Sequence, residues 1–264
     1  EREKPRTFGV TTRGVEGITT RMVGRESELR RLQSALMWAL EERDTQVVTI
    51  LGEPGVGKSR LLREFDNWID QLPEDVFHFA GRATAEMTKL PYSLIRNLFA
   101  FRFEIQDSDS SASVREKLES GVAQFIGAAN AHKAHYIGQL IGFDFSTSPH
   151  IQGEDPSQVA QLGVYYFIEF FAAVTTHHPA VLFLEDIHWA DDKSLDLVNY
   201  LVRARRDLPL LVVCLARPTL MERRALLWDD RHEFHTLIEL QPLSRDESCV
   251  LVEDILHKMD RVPD

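Results

Sequence analysis

Gly52-Glu53-Pro54-Gly55-Val56-Gly57-Lys58-Ser59 decides how this chain is read. It fits the pattern G-x-x-x-x-G-K-[ST], and the residues around it give that pattern physical meaning. The apolar run Val47-Val48-Thr49-Ile50-Leu51 leads in, and Arg60 to Leu72 follow with Leu61, Leu62, Phe65, Ile69 and Leu72 at helical spacing. Strand, glycine-rich turn and helix together form a phosphate-binding loop. The glycines let successive backbone N–H groups turn toward one anion, and the helix N-terminus adds partial positive charge. In that reading Lys58 reaches the outer phosphates of a nucleotide and the Ser59 hydroxyl takes one position on Mg²⁺. The bland alternative is a structural Gly/Pro turn.

Outward from the loop, Glu26 to Arg43 is an amphipathic helix with Leu29, Leu32, Leu36 and Leu40 on one face. Strands are expected at Gln46–Leu51, Val76–Ala80, Leu210–Leu215 and His235–Leu240, and in the run from Ala180 that ends in Glu185 and Asp186. Their apolar runs are continuous rather than alternating, which means burial on both faces, as in a parallel sheet between helices. Between Arg82 and Pro156 there is no convincing strand, only helical patterns at Tyr92–Phe101, Val114–Ala128 and His132–Ile141. A long, nearly all-round apolar helix from Ser157 to Thr176 is expected to be buried over most of its surface. Asp192 to Asp207 also reads as helical. The first 22 residues, with no hydrophobic period, read as a linker or extended arm, leaving 23–264 as the globular unit with a helical insertion at about 83–156.

A length of 264 residues with 44% hydrophobic and 27% charged residues is an ordinary globular composition. A net charge of −11 argues against a broad nucleic-acid or anionic-membrane surface. Arg203, Arg205 and Arg206 form the densest basic patch and read as the solvated face of a helix. Two cysteines, Cys214 in an apolar run and Cys249 in a helical pattern, give no disulfide framework, which fits a reducing compartment. No signal peptide is visible, the longest apolar stretch is too short for a span, and a cytoplasmic location is expected. The chain starts at Glu1 and reads as a piece of a longer polypeptide.

A phosphate loop binds nucleotide, but hydrolysis also needs a held metal and an oriented water. Glu185 and Asp186, at the mouth of a buried strand, suit both tasks, since adjacent buried acids are costly without a cation. The alternative is that they end the strand in solvent. Counting apolar residues places Glu185 toward the metal and Asp186 toward the water; a slip of one residue swaps them. Asp191 or Asp192 can cap the next helix. His188 can sense the terminal phosphate or position water, or be a hydrogen-bonding bystander. Arg217, just past a strand, can reach the terminal phosphate. The histidine pairs 132/135 and 177/178 lack zinc spacing.

These segments together resemble the signal-transduction ATPases with numerous domains, the STAND branch of the AAA+-related phosphate-loop NTPases. The resemblance is carried by Met22-Val23-Gly24-Arg25-Glu26-Ser27-Glu28-Leu29, by the phosphate loop, by Leu184 to Asp192, by Cys214-Leu215-Ala216-Arg217-Pro218 and by Leu240-Gln241-Pro242-Leu243-Ser244, in the family's order. It implies a three-layer α/β fold of the ASCE type with strand order 5-1-4-3-2, in which the strand ending in Glu185 is not adjacent to the loop strand. It also implies ATP/ADP and Mg²⁺ as cofactors, with Val23, Gly24 and Arg25 lining the adenine pocket and Pro242 nearby. The loop residues Glu53, Pro54, Gly55, Val56, Gly57, Lys58, Ser59 and Arg60 would hold the phosphates, and Ser59, Glu185 and Asp186 the metal. Lys58, Glu185, Asp186 and Arg217 would carry the chemistry, with Arg217 reading the terminal phosphate.

The family's helical lid and winged-helix segment with its Gly-x-Pro motif do not occur before the sequence stops. The order Glu-Asp differs from the Asp-Asp or Asp-Glu of many relatives. Lys4 to Gly17 is similar to the joint between a class III nucleotidyl cyclase domain and such an ATPase; similar modules also occur in large transcription activators. The implied activity is a regulatory ATPase switch coupled to neighbouring domains. Nucleotide-dependent self-association through a non-hydrolysing scaffold is the rival, and nucleic acid is not an expected partner.

Overall fold

The computed structural model describes residues 21–224, 227 and 234–258; the arm expected before residue 21, with the joint at Lys4–Gly17, lies outside them. In chain order the elements are α1 (Glu26–Glu41), β1 (Gln46–Leu51), α2 (Lys58–Ile69), β2 (Phe77–Arg82), α3 (Ser93–Arg102), α4 (Ser111–Ile126), α5 (Lys133–Leu140), α6 (Pro156–His177), β3 (Ala180–Glu185), α7 (Asp192–Ala204), β4 (Leu210–Ala216), α8 (Thr219–Arg224), β5 (His235–Glu239) and α9 (Arg245–Lys258).

The five strands form one parallel sheet in the order β2-β3-β4-β1-β5, which is 5-1-4-3-2 read from the other edge. The central strands β1, β3 and β4 are buried along their whole length. Strand residues alternate between two apolar layers. Val48, Ile50, Val181, Phe183, Leu211 and Val213 join Leu32 and Leu36 of α1 and Leu61, Leu62 and Phe65 of α2. Val47, Leu182, Leu184, Val212 and Cys214 meet Phe99 of α3, Leu118 of α4, Ile137 of α5, Phe167 and Phe171 of α6, and Val198 of α7. The helices between β2 and β3 therefore share the core of one sheet face rather than enclosing a core of their own. Cys214 is fully buried, which pushes its thiol well above the usual range, while Cys249 is exposed.

Several sequence expectations shift. β2 runs from Phe77 to Arg82 instead of Val76 to Ala80, because pairing with β3 continues through Gly81↔Leu184 and Arg82↔Glu185. α1 stops at Glu41, and Arg43 is left-handed with φ 50°. α2 begins inside the motif at Lys58. α7 ends at Ala204, so Arg205 and Arg206 are not on a helical face; they pair with Asp207 and Asp44. α6 is less buried than its composition implied. Phe167, Phe170, Phe171 and Val174 enter the core, whereas Leu162 is 37% and Tyr165 55% exposed. The apolar character of α6 is spread around the helix, but its packed face is a single stripe, and Tyr165 keeps its hydroxyl on Glu169.

Candidate functional site

Parallel strands carry their C-terminal ends to one edge of the sheet, and the candidate residues other than Val23, Gly24 and Arg25, which precede α1, lie at or after such an end. The phosphate loop leaves β1, the acidic pair closes β3, Arg217 follows β4 and Pro242 follows β5. The Gly52 amide donates to the Ala216 carbonyl at 3.2 Å, and the Leu240 amide to the Leu51 carbonyl at 2.8 Å, stitching these exits together.

The loop has the shape of a cradle. Gly55 and Gly57 have φ of +83° and +104°, conformations that side chains resist. A Cβ at either would meet nothing within 4 Å, so the loop is unobstructed at both glycines. Gly57 caps α2, which starts at Lys58 with no side-chain cap and turns free N–H groups toward the loop. Lys58 Nζ donates to the carbonyls of Gly52 at 2.7 Å and Glu53 at 3.0 Å. Burial lowers its pKa, with Arg217 adding to that and Asp186 and Glu53 opposing, which places Arg217 and Asp186 around the lysine. Glu53, Pro54 and Gly55 are exposed, and the Arg60 guanidinium pairs with Glu64 one turn along α2.

Across β4 from the loop, Glu185 is 4% exposed and lies near enough to the Ser59 side chain for that hydroxyl to favour its charged form. Burial raises its pKa and the Asp186 charge adds to this, against Arg82 and Ser59. The two acids then part. Asp186 turns into a left-handed conformation, φ 54°, and its Oδ2 accepts from Arg82 Nε at 2.9 Å and lies 2.8 Å from Arg82 Nη2. Arg82 is absent from the sequence reading; the signal was the β2–β3 register, which sets it opposite Glu185. A cradle open to an anion and a hydroxyl–carboxylate pair beside it fit a triphosphate with a divalent cation. Ser59 and Glu185 would hold the metal, and the loop amides with Lys58 the phosphates.

Behind the pair, His188 is buried and Asp191 more so. Burial lowers the His188 pKa, Arg217, Lys58 and Arg223 reinforce this, and Asp186 opposes it. Asp191 caps α7, accepting from Ser194 N at 2.8 Å and Ser194 Oγ at 2.6 Å. It also takes Tyr92 N at 2.8 Å, Ser93 N at 3.0 Å and Ser93 Oγ at 3.0 Å at the start of α3. One carboxylate thus holds two helix N-termini and fixes the turn that carries His188.

The segment around Gly24 and Arg25 lies against the loop and the exit of β5. Arg25 is 7% exposed; its guanidinium donates to the carbonyls of Val56, at 3.2 Å, and Gln241, and pairs with Glu28. The side chain implied to line a base pocket is therefore spent on main-chain acceptors, as a buried guanidinium requires. Gly24 has φ +66°, and a Cβ there would stand 2.3 Å from Glu247 Oε1. Glu247 accepts from Ser244 N at 2.7 Å while its own amide donates to Ser244 Oγ at 3.3 Å, a capping box at the start of α9. Pro242 is exposed between the Gln241 carbonyl and that cap. Gly24 and Arg25 are thus brought to the Gln241–Glu247 segment and to the Val56 carbonyl of the loop, while Glu185 approaches Ser59, and Asp186 and Arg217 act on Lys58.

Among proteins of known sequence, the chain is 26% identical over 248 residues to an uncharacterized protein of Rhizobium meliloti (strain 1021), covering 92% of this chain and 23% of that protein. Among solved structures it is similar to Cdc6p from Pyrobaculum aerophilum, with 14% identity, TM-score 0.49, and coverage of 91% of this chain and 51% of that one. The Aeropyrum pernix ORC1 protein, solved in complex with DNA, gives 15% identity, TM-score 0.49 and the same coverages. Residues 21–213 match the AAA ATPase domain family, and the chain belongs to it.

Proposed function

We propose that this chain is an ATP-binding, Mg²⁺-dependent ATPase module that acts as a nucleotide switch within a longer signal-transduction or transcription regulator of the STAND type. The observation that carries the reading is the buried Glu185 carboxylate brought up to the Ser59 hydroxyl next to Lys58, which sets the acidic strand end against the loop. Mg²⁺ bound there would neutralise charge on the outer phosphates. The chain's own residues do the rest. Loop amides and Lys58 grip the phosphates, and Ser59 with Glu185 faces the metal. Asp186 faces the attacking water, and Arg217 reads the terminal phosphate. The Glu185 and Asp186 roles follow the split expected from counting, supported by their different partners.

The chain spans 23% of the length of its Rhizobium relative, so neighbouring domains are the natural partners of a switch. A cytoplasmic location, a preceding nucleotidyl cyclase domain and the unit boundaries 23–264 belong to the same proposal. One observation favours a slow or non-hydrolysing scaffold that works through self-association: Arg82 holds the carboxylate of Asp186. Single-turnover hydrolysis by purified protein separates the two. Phosphate release that is lost in Glu185→Gln and Asp186→Asn while ATP binding persists supports the ATPase. Binding without release supports the scaffold.

A further inference from the structure

His188 lies in the 3₁₀ turn Ile187–Trp189 directly after the acidic pair, and it is 8% exposed. Neither Nδ1 nor Nε2 has a hydrogen-bond partner. Buried polar atoms without partners are few in native proteins and each is destabilising, so two on one ring call for an explanation.

The surroundings say what would satisfy it. Asp186 from the end of β3, Arg217 after β4, Lys58 from the loop and Arg223 from α8 all act on the ring electrostatically. Three cations against one anion favour a negatively charged oxygen as the partner of the imidazole. Three of these four already have partners: Lys58 holds the Gly52 and Glu53 carbonyls, Asp186 holds Arg82, and Arg223 donates to the Ala190 carbonyl at 2.7 Å. A neutral imidazole offers one N–H donor, and the ring is braced by the Trp189 ring at 5.1 Å between centroids. The loop backbone cradles the inner phosphates. The turn of His188 instead follows directly on the acidic pair, the residues that the proposed function sets against the metal and the attacking water at the terminal phosphate.

We propose that His188 donates a hydrogen bond to the terminal phosphate of a bound nucleoside triphosphate and so makes this site prefer triphosphate over diphosphate. The inference rests on the nucleotide-site reading and adds to it a specificity-determining residue.

The test is calorimetric titration of the full 264-residue chain with Mg²⁺·AMP-PNP and with Mg²⁺·ADP. His188→Phe removes both nitrogens and keeps an aromatic ring. It is expected to weaken AMP-PNP at least about tenfold, the effect of one hydrogen bond to a charged group, and to leave ADP within about twofold. An unchanged AMP-PNP to ADP ratio, or equal weakening of both ligands, in a variant with the wild-type melting midpoint overturns the proposal. If His188→Phe does not fold, His188→Asn and His188→Gln carry the test. Their donors reach to different depths, so their ratios must differ, and identical ratios overturn it. A wild-type chain that binds neither ligand would remove the nucleotide site itself, an outcome distinct from wild-type binding with an unmoved ratio.

Discussion

Asp191→Ala removes an acceptor that serves five donors on two helices. The carboxylate is 4% exposed with no cation on it among the bonds of the described residues, so its charge is compensated by N–H groups at the starts of α3 and α7. Losing two helix caps sets a floor of about 2 kcal/mol, at about 1 kcal/mol each. The amides of Tyr92, Ser93 and Ser194 are then left without their acceptor in a dry interior, which raises the cost to about 4 kcal/mol. The hydroxyls of Ser93 and Ser194 can rotate to other acceptors and add little. Asp191→Asn keeps one carbonyl oxygen but turns an NH₂ toward donors, and should fall between wild type and alanine. Urea unfolding followed by circular dichroism measures this as a shift in midpoint at constant slope. In thermal melts about 4 kcal/mol corresponds to a fall of about 8–16 °C for a chain of this size. A loss below about 1 kcal/mol for Asp191→Ala would refute the idea that this carboxylate joins α3 to α7.

Other outcomes follow from the same geometry. Arg82 is 54% exposed at its side chain, and such pairs are worth at most about 1 kcal/mol. Arg82→Ala should leave the melting midpoint nearly unmoved while raising basal phosphate release by up to about fivefold as Asp186 is freed. A drop in turnover would show instead that the arginine assists the chemistry. In the helical region, burial lowers the pKa of His135 from its ordinary 6.5; His150 and His132 reinforce this, and Glu119 opposes it. The unfolded chain then binds more protons than the native one just below pH 6.5, so stability is present above that pH and lost as pH falls toward the lowered native value. His135→Gln should flatten the melting midpoint between pH 7 and 5, and an unchanged slope would point to other groups.

The centre of the fold was readable because its periodicities are extreme. β1 runs over the same residues in sequence and structure, Gln46–Leu51, and a loop of this kind after it admits few topologies. The continuous apolar runs at 180–184 and 210–215 announced two-sided burial, and both strands have it. What stayed hidden depends on contacts between distant segments. Nothing near Asp191 in the chain announces Tyr92 and Ser93, because that bond closes about a hundred residues. Arg82 meets Asp186 through strand register, and β2 was read two residues short at that end. The side chain of Arg25 turned out to serve main-chain carbonyls, and only the exit of β5 shows which ones. α6 misled because composition counts apolar residues without regard to which side the neighbours occupy. For the site, motif spacing brought out the loop and the acids, while the separate partners of Glu185 and Asp186 needed coordinates.

The central claim is that this chain grips a nucleotide through the backbone around Lys58, and titration of Mg²⁺·ATP into wild type and Lys58→Ala measures it most directly. The variant loses a charge-assisted contact, and the account predicts affinity weaker by roughly 10- to 150-fold with the fold intact. Equal affinity in the two proteins, or no binding to either, would contradict it.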